Sequence, residues 1–203
     1  MNILGIWDGH DSGAALIKDS KIINAVSEER LNRRKLYVGF PSESIKFILN
    51  HIKQEEIGII AIAGLEGLVA DIEEDIQKLW TSGLGKIYCN FGRFDFLLRN
   101  KLLNNLHVYL IYGLRKRKIK KRLRELGFTQ EVKFINHHES HAYSAYKTID
   151  FNDPLVVTVD GTGDGVSATT SIVENGKLKR IQTTYTYDSP GWFYAAITQY
   201  LGF

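Results

Sequence analysis

The sequence predicts an α/β protein, and three observations carry that reading. Ile57–Ala63 is a continuous apolar run, the pattern of a strand buried in the middle of a sheet. Before it, Ile45, Ile48, Leu49 and Ile52 recur at helical spacing behind Pro41-Ser42, with Ser42 as the expected N-cap. Third, one supersecondary unit occurs twice. Strand Ile3–Trp7 runs into Asp8-Gly9-His10-Asp11-Ser12, a strand to Ile17, a turn at Lys18–Ser20 and strand Lys21–Glu28. Strand Leu155–Val159 runs into Asp160-Gly161, then Val166–Glu174, a turn at Asn175-Gly176 and strand Lys177–Tyr187. Two copies indicate a duplicated lobe rather than a solenoid. Residues 1–148 are expected to form a first lobe, a mixed sheet flanked by helices. Residues 149–203 are expected to open a second lobe that is incomplete.

Other elements follow in order. Ser27–Tyr37 is strongly charged and reads as a solvated loop; the alternative is that Arg30, or Arg33 with Arg34, binds an anion. Helices are expected over Leu65–Leu79 and within Phe91–Tyr112. The basic run Arg115–Arg124 places Ile119, Leu123 and Leu126 on one helical face, with Gly127 as a stop. Its charges read as a solvated face, against the alternative of a nucleic acid, phosphorylated substrate or acidic partner. Val132–Ile135 is a strand, and Asp153-Pro154 a turn. Gly191–Phe203 reads as a helix so apolar that it needs a partner to bury against.

Between these lies the densest chemistry. Three of the six histidines fall in Asn136-His137-His138-Glu139-Ser140-His141. If this segment is helical, His137 and His141 lie on one face a turn apart and can share a divalent metal. The following strand delivers Asp160 at its C-terminal end, where open α/β sheets place their ligands. Two histidines and one carboxylate favour Fe(II), with Zn(II) also allowed. The metalloprotease helix motif fails, because the position for its second histidine is Ala142. The plain alternative is a set of polar residues at a helix start. The glycines after Asp160 suit a close backbone approach to an anion, or simply a tight turn between strands.

Composition excludes several classes. The 203 residues are 44% apolar and 24% charged, ordinary for a globular protein, with net charge +3 that the basic run largely explains. Cys89 is the single cysteine, so no internal disulfide framework exists and a reducing compartment fits. No basic n-region precedes the first apolar run, and no run is long enough to span a bilayer. A cytoplasmic location is expected.

These features resemble the actin/sugar-kinase superfamily, whose lobes each carry such a phosphate hairpin. More closely, the chain resembles the N-terminal part of the O-carbamoyltransferases of nodulation-factor and antibiotic biosynthesis, relatives of the tRNA threonylcarbamoyl transferases. The matching residues are Gly5-Ile6, Asp8–Ser12, Ser27–Arg30, Phe40-Pro41, Asn136–Ala142, Asp160-Gly161, and Ser189-Pro190-Gly191 through Tyr194 to Leu201-Gly202-Phe203. Family members are much longer. The resemblance implies transfer of a carbamoyl group to the hydroxyl of a small sugar or antibiotic-like acceptor, through a carbamoyl-adenylate made from ATP and carbamoyl phosphate. A separate C-terminal domain, outside this sequence, would make the adenylate. On this chemistry His10 is the candidate base, because imidazole titrates near neutrality; its alternative is a turn residue bonded to backbone. Asp8 and Asp11 would orient the base or a hydroxyl. Gly9, Ser12, Gly161, Thr162, Gly163 and Gly165 would hold the nucleotide's phosphate. His137, His141 and Asp160 would hold the metal.

The rival enzyme is a sugar-kinase-like phosphotransferase, which wants Mg²⁺ on carboxylates and does not require the histidine pair. The non-enzymatic rival is a fragment that binds a nucleotide or partner. The carbamoyltransferase reading expects no membrane or nucleic-acid partner, allows a homo-oligomer, and expects the chain alone to be inactive.

Overall fold

The computed structural model describes residues 1–65 and 101–203, with the backbone alone over 101–111 and at 114. The helix expected over Leu65–Leu79, and the start of that expected over Phe91–Tyr112, lie outside the described residues. The described residues fall into two compact units: one holds residues 1–65 and Leu110–Ile135, and the other holds 101–109 and Asn136–Phe203. The division falls at Ile135/Asn136, so the histidine helix groups with the second unit, whereas the sequence reading placed the lobe boundary after residue 148.

The first unit is a mixed sheet in the order β3-β2-β1-β4-β5. Its strands are β1 (Asn2–Trp7), β2 (Gly13–Lys18), β3 (Lys21–Ser27), β4 (Ile57–Ala63) and β5 (Glu131–Ile135). β1, β2 and β3 form an antiparallel meander, while β4 runs parallel to both β1 and β5. β4 is interior, as its unbroken apolar run requires. The helices are α1 (Glu28–Asn32), α2 (Ser42–Leu49) and α3 (Lys101–Glu125), which belongs to this unit from Leu110 on. Leu4, Ile6 and Leu16 from the sheet pack with Ile45 and Ile48 from α2 and Ile119 and Leu123 from α3 in one apolar cluster. Full burial of each such side chain contributes about 1.5–3 kcal/mol.

Three local readings are corrected here. Ser42 is the first residue of α2, and Pro41 stands at the cap position without a side-chain bond. The missing cap comes from Glu28, in the stretch expected to be solvated. Its buried carboxylate accepts from the Glu43 N–H at 3.0 Å, the Ser44 N–H at 2.8 Å and the Ser44 hydroxyl at 2.7 Å. An anion there also suits the positive end of the helix dipole. Arg115 departs from the solvated face too. It is buried, pairs with the buried Asp8, and donates to the carbonyls of Gly64 and Ala63, the latter at 3.0 Å. Finally, Leu126 is exposed; α3 stops at Glu125, Gly127 takes a left-handed φ of 86°, and Phe128 fills the core instead.

The second unit carries an antiparallel sheet, β6 (Val156–Gly163), β7 (Val166–Glu174) and β8 (Lys177–Tyr185), with helices α4 (His137–Thr148) and α5 (Pro190–Tyr200). Asn175 and Gly176 have φ of 53° and 72°, the left-handed pair a two-residue hairpin favours. The β1–β2–β3 and β6–β7–β8 meanders share one topology, and in each the pairing of the last two strands carries a register shift. Each copy of the sequence unit thus forms a three-stranded antiparallel meander.

A two-histidine, one-carboxylate candidate metal centre

The site is assembled by two periodicities. On β6, Val156, Thr158 and Asp160 alternate onto one face. The first two are buried, while Val157 and Val159 on the other face are exposed. On α4, His137 and His141 are one turn apart, while His138 and Ala142 form the neighbouring buried stripe. α4 begins where expected: Asn136 caps it by accepting the Glu139 N–H at 3.2 Å.

The result is a convergence. His137 Nε2 lies 2.8 Å from Asp160 Oδ2 and 3.0 Å from His141 Nε2, and His141 Nε2 lies 3.7 Å from Asp160 Oδ2. One ligand atom from each residue falls within 4.8 Å of the others. Donor atoms each about 2.1 Å from one ion, at tetrahedral or octahedral angles, stand roughly 3.0–3.4 Å apart. The three separations bracket that range, so the donor set fits a divalent cation. Burial pushes the Asp160 carboxyl up, but the His137 hydrogen bond, the Gly161 N–H and the nearby imidazoles outweigh it. The net pKa lies below the ordinary 3.8, so Asp160 is a carboxylate at neutral pH.

The segment after Val159 differs from the expected turn. β6 runs on to Gly163, and a bulge between Val159 and Gly163 takes the intervening residues out of the ladder. Bulges of this kind re-aim side chains beside functional sites. Of the residues expected to cradle phosphate, the Gly161 N–H donates to Asp160 Oδ1 at 2.6 Å and the Thr162 hydroxyl pairs with that of Thr186 at 2.7 Å. Gly163 lies against the His137 ring, where any Cβ would collide with the imidazole. Gly165 has φ 74° and accepts the Thr186 N–H through its carbonyl. These contacts brace the cluster. Gly191 opens α5 against the Asp160 carbonyl with no room for a Cβ, and the Ser189 hydroxyl donates to the Gly161 carbonyl at 2.7 Å.

In the first unit, His10 is exposed on its turn, with Nδ1 3.1 Å from Asp11 Oδ2. Trp7 Nε1–H donates to the His10 carbonyl at 2.6 Å, and the Trp7 ring meets the imidazole edge-on. Gly9 passes over the same indole without space for a side chain. Asp11 thus stands beside His10 as expected. Asp8 is buried and paired with Arg115. The Ser12 hydroxyl is buried with no hydrogen-bond partner among the described residues, while its N–H donates to the Tyr37 carbonyl at 3.2 Å.

Sequence reasoning passed over two residues. His138 is wholly buried, with Nδ1 2.7 Å from Thr158 Oγ1 and Nε2 2.9 Å from the Val166 carbonyl. Asp164, with φ 53°, accepts the His137 backbone N–H at 2.6 Å and Asn136 Nδ2–H at 3.1 Å. The period-two face of β6 was the available signal for the first. For the second the mark was the Asp164-Gly165 dipeptide, whose φ values of 53° and 74° make it a left-handed hairpin pair like Asn175-Gly176.

Comparison with known proteins supplies the class. The chain matches the family described as carbamoyltransferase N-terminus over residues 2–203, and it belongs to that family. The resemblance drawn from its motifs therefore holds. Among similar proteins, the uncharacterised MJ1051 of Methanocaldococcus jannaschii is 34% identical over 99% of this chain and 30% of its own length. The nodulation protein NolNO of Sinorhizobium fredii is 29% identical over 96% of this chain and 26% of its own. An uncharacterised Synechocystis protein, sll1178, is 29% identical over 96% and 31%. The chain thus spans about a third or less of the length of these relatives.

Proposed function

We propose that this chain is the N-terminal part of a transferase domain that moves a carbamoyl group from carbamoyl-adenylate to a hydroxyl of a small acceptor. The observation that carries the reading is the convergence of His137, His141 and Asp160 in a chain matched end to end by the carbamoyltransferase N-terminal family. Two meanders of one topology, each opened by a strand and an Asp-Gly sequence, support an actin/sugar-kinase-like duplicated fold.

In the proposed step the acceptor oxygen attacks the carbamoyl carbon. The carbon–oxygen bond to the adenylate phosphate breaks, and AMP leaves with the bonding pair. His10 takes the hydroxyl proton, with Asp11 Oδ2 beside its Nδ1 to orient the ring and offset the charge it gains. His137, His141 and Asp160 would hold Fe(II) or another divalent ion, which supplies Lewis-acid stabilisation of negative charge. Asp160 stays ionised for that role, and Gly163 leaves room for the His137 ring.

The test is a graft. This chain replaces the matching region of the Methanocaldococcus relative, and the product is assayed with ATP, carbamoyl phosphate and a panel of hydroxyl acceptors. The expected result is acceptor mass gain by one carbamoyl group, falling about 100-fold or more in His10→Ala. Phosphate transfer instead, or equal rates in graft and variant, would overturn the proposal.

A further inference from the structure

His138 stands between two metal-ligand candidates in sequence, yet both its ring nitrogens are already committed. The Val166 carbonyl can only accept, so Nε2 carries the proton. In a neutral ring Nδ1 then accepts from the Thr158 hydroxyl. The spent Thr158 proton leaves its oxygen to accept from the Thr169 hydroxyl at 2.7 Å and the Thr169 N–H at 3.2 Å. The chain His138–Thr158–Thr169 is closed, buried and internally satisfied, and it ties α4 to both β6 and β7. Thr158 is two residues before Asp160 on the same strand face, and His138 is flanked by the rings of His137 and His141, with centroids 5.4 and 6.4 Å away.

From this geometry we infer that His138 is a positioning residue: held as a strut by Thr158 and Val166, it sets the spacing of His137 and His141 against Asp160 and is not itself a ligand. The inference rests on the metal reading above. Partners that orient ligands from one shell out are commonly worth tenfold or more in affinity, which sets the scale.

The experiment is titration of the purified chain with Co(II), followed by visible absorption, with circular dichroism as the check on folding. Wild type is expected to bind with a defined visible band, and His137→Ala to lose it. Thr158→Val keeps the side-chain shape and removes the hydroxyl; it is expected to weaken binding about tenfold and alter the band. Thr158→Ser restores the hydroxyl and is expected to return to within about twofold of wild type, and His138→Gln to lose affinity as Thr158→Val does. Val156→Ala, which opens a buried gap on the same strand face without touching the network, controls for general loosening and is expected to bind as wild type does. Thr158→Val binding like wild type, or no more weakly than Val156→Ala, would overturn the strut while leaving the metal centre standing. A wild-type chain that takes up no Co(II) would overturn the centre itself.

Discussion

Arg115 and Asp8 meet where two periodicities cross. Leu4 and Ile6 alternate along the core-facing side of β1, and Asp8, just past its end, is buried in the same phase and needs a partner. Arg115, Ile119 and Leu123 are successive i, i+4 positions on α3, so the guanidinium ends the apolar stripe rather than the wet face. Removing one partner of a buried pair strands the other: Arg115→Met should destabilise the chain by about 3–5 kcal/mol. Lys116→Gln and Arg117→Gln should stay within about 0.5 kcal/mol. Urea unfolding checks both, and an Arg115→Met loss no larger than its neighbours' would place the side chain in solvent. The stripe was legible in the sequence. It went unread because a run of ten residues dense in Lys and Arg looks uniformly solvated until the one cation in register with the apolar positions is singled out. Glu28 was less legible, since its hydrogen bonds reach fifteen and sixteen residues along the chain.

At the scale of elements, the meanders, β4 and α4 could be read in advance because each rests on local patterning: alternation, an unbroken apolar run, a cap and a helical stripe. The bulge in β6 could not, because it depends on pairing with β7. Contact between α4 and the sheet has a measurable pH signature. His138 titrates below 6.5 in the folded chain, so the unfolded chain takes up the proton first. The stability it lends is complete above about pH 6.5 and is lost as the pH falls through the folded value. Asp160 shifts the same way, but from an ordinary 3.8, so its effect belongs to a more acidic window. Denaturant unfolding should therefore show stability falling as the pH drops below about 6.5, and His138→Gln should flatten that fall. An unchanged slope in the variant would mean that the imidazole is not held neutral.

At the scale of the molecule, α5 exposes Trp192, Phe193, Tyr194 and Tyr200, and β6 exposes Val157 and Val159. Apolar patches of this kind drive association. In light scattering the chain alone should self-associate, and a monodisperse monomer at high concentration would contradict that. Among the described residues, the three candidate ligands of the metal centre all come from α4 and β6. Its two histidines and its aspartate were all readable from spacing, whereas the strut and the bonds of Asp164 to Asn136 and the His137 N–H required the packed structure. The most direct test is metal content after anaerobic loading with Fe(II) and removal of excess ion. The account predicts about one iron per wild-type chain and, with a ligand gone, a loss of tenfold or more in affinity for His137→Ala, Asp160→Ala or His141→Ala. Equal metal content in wild type and all three variants would contradict it.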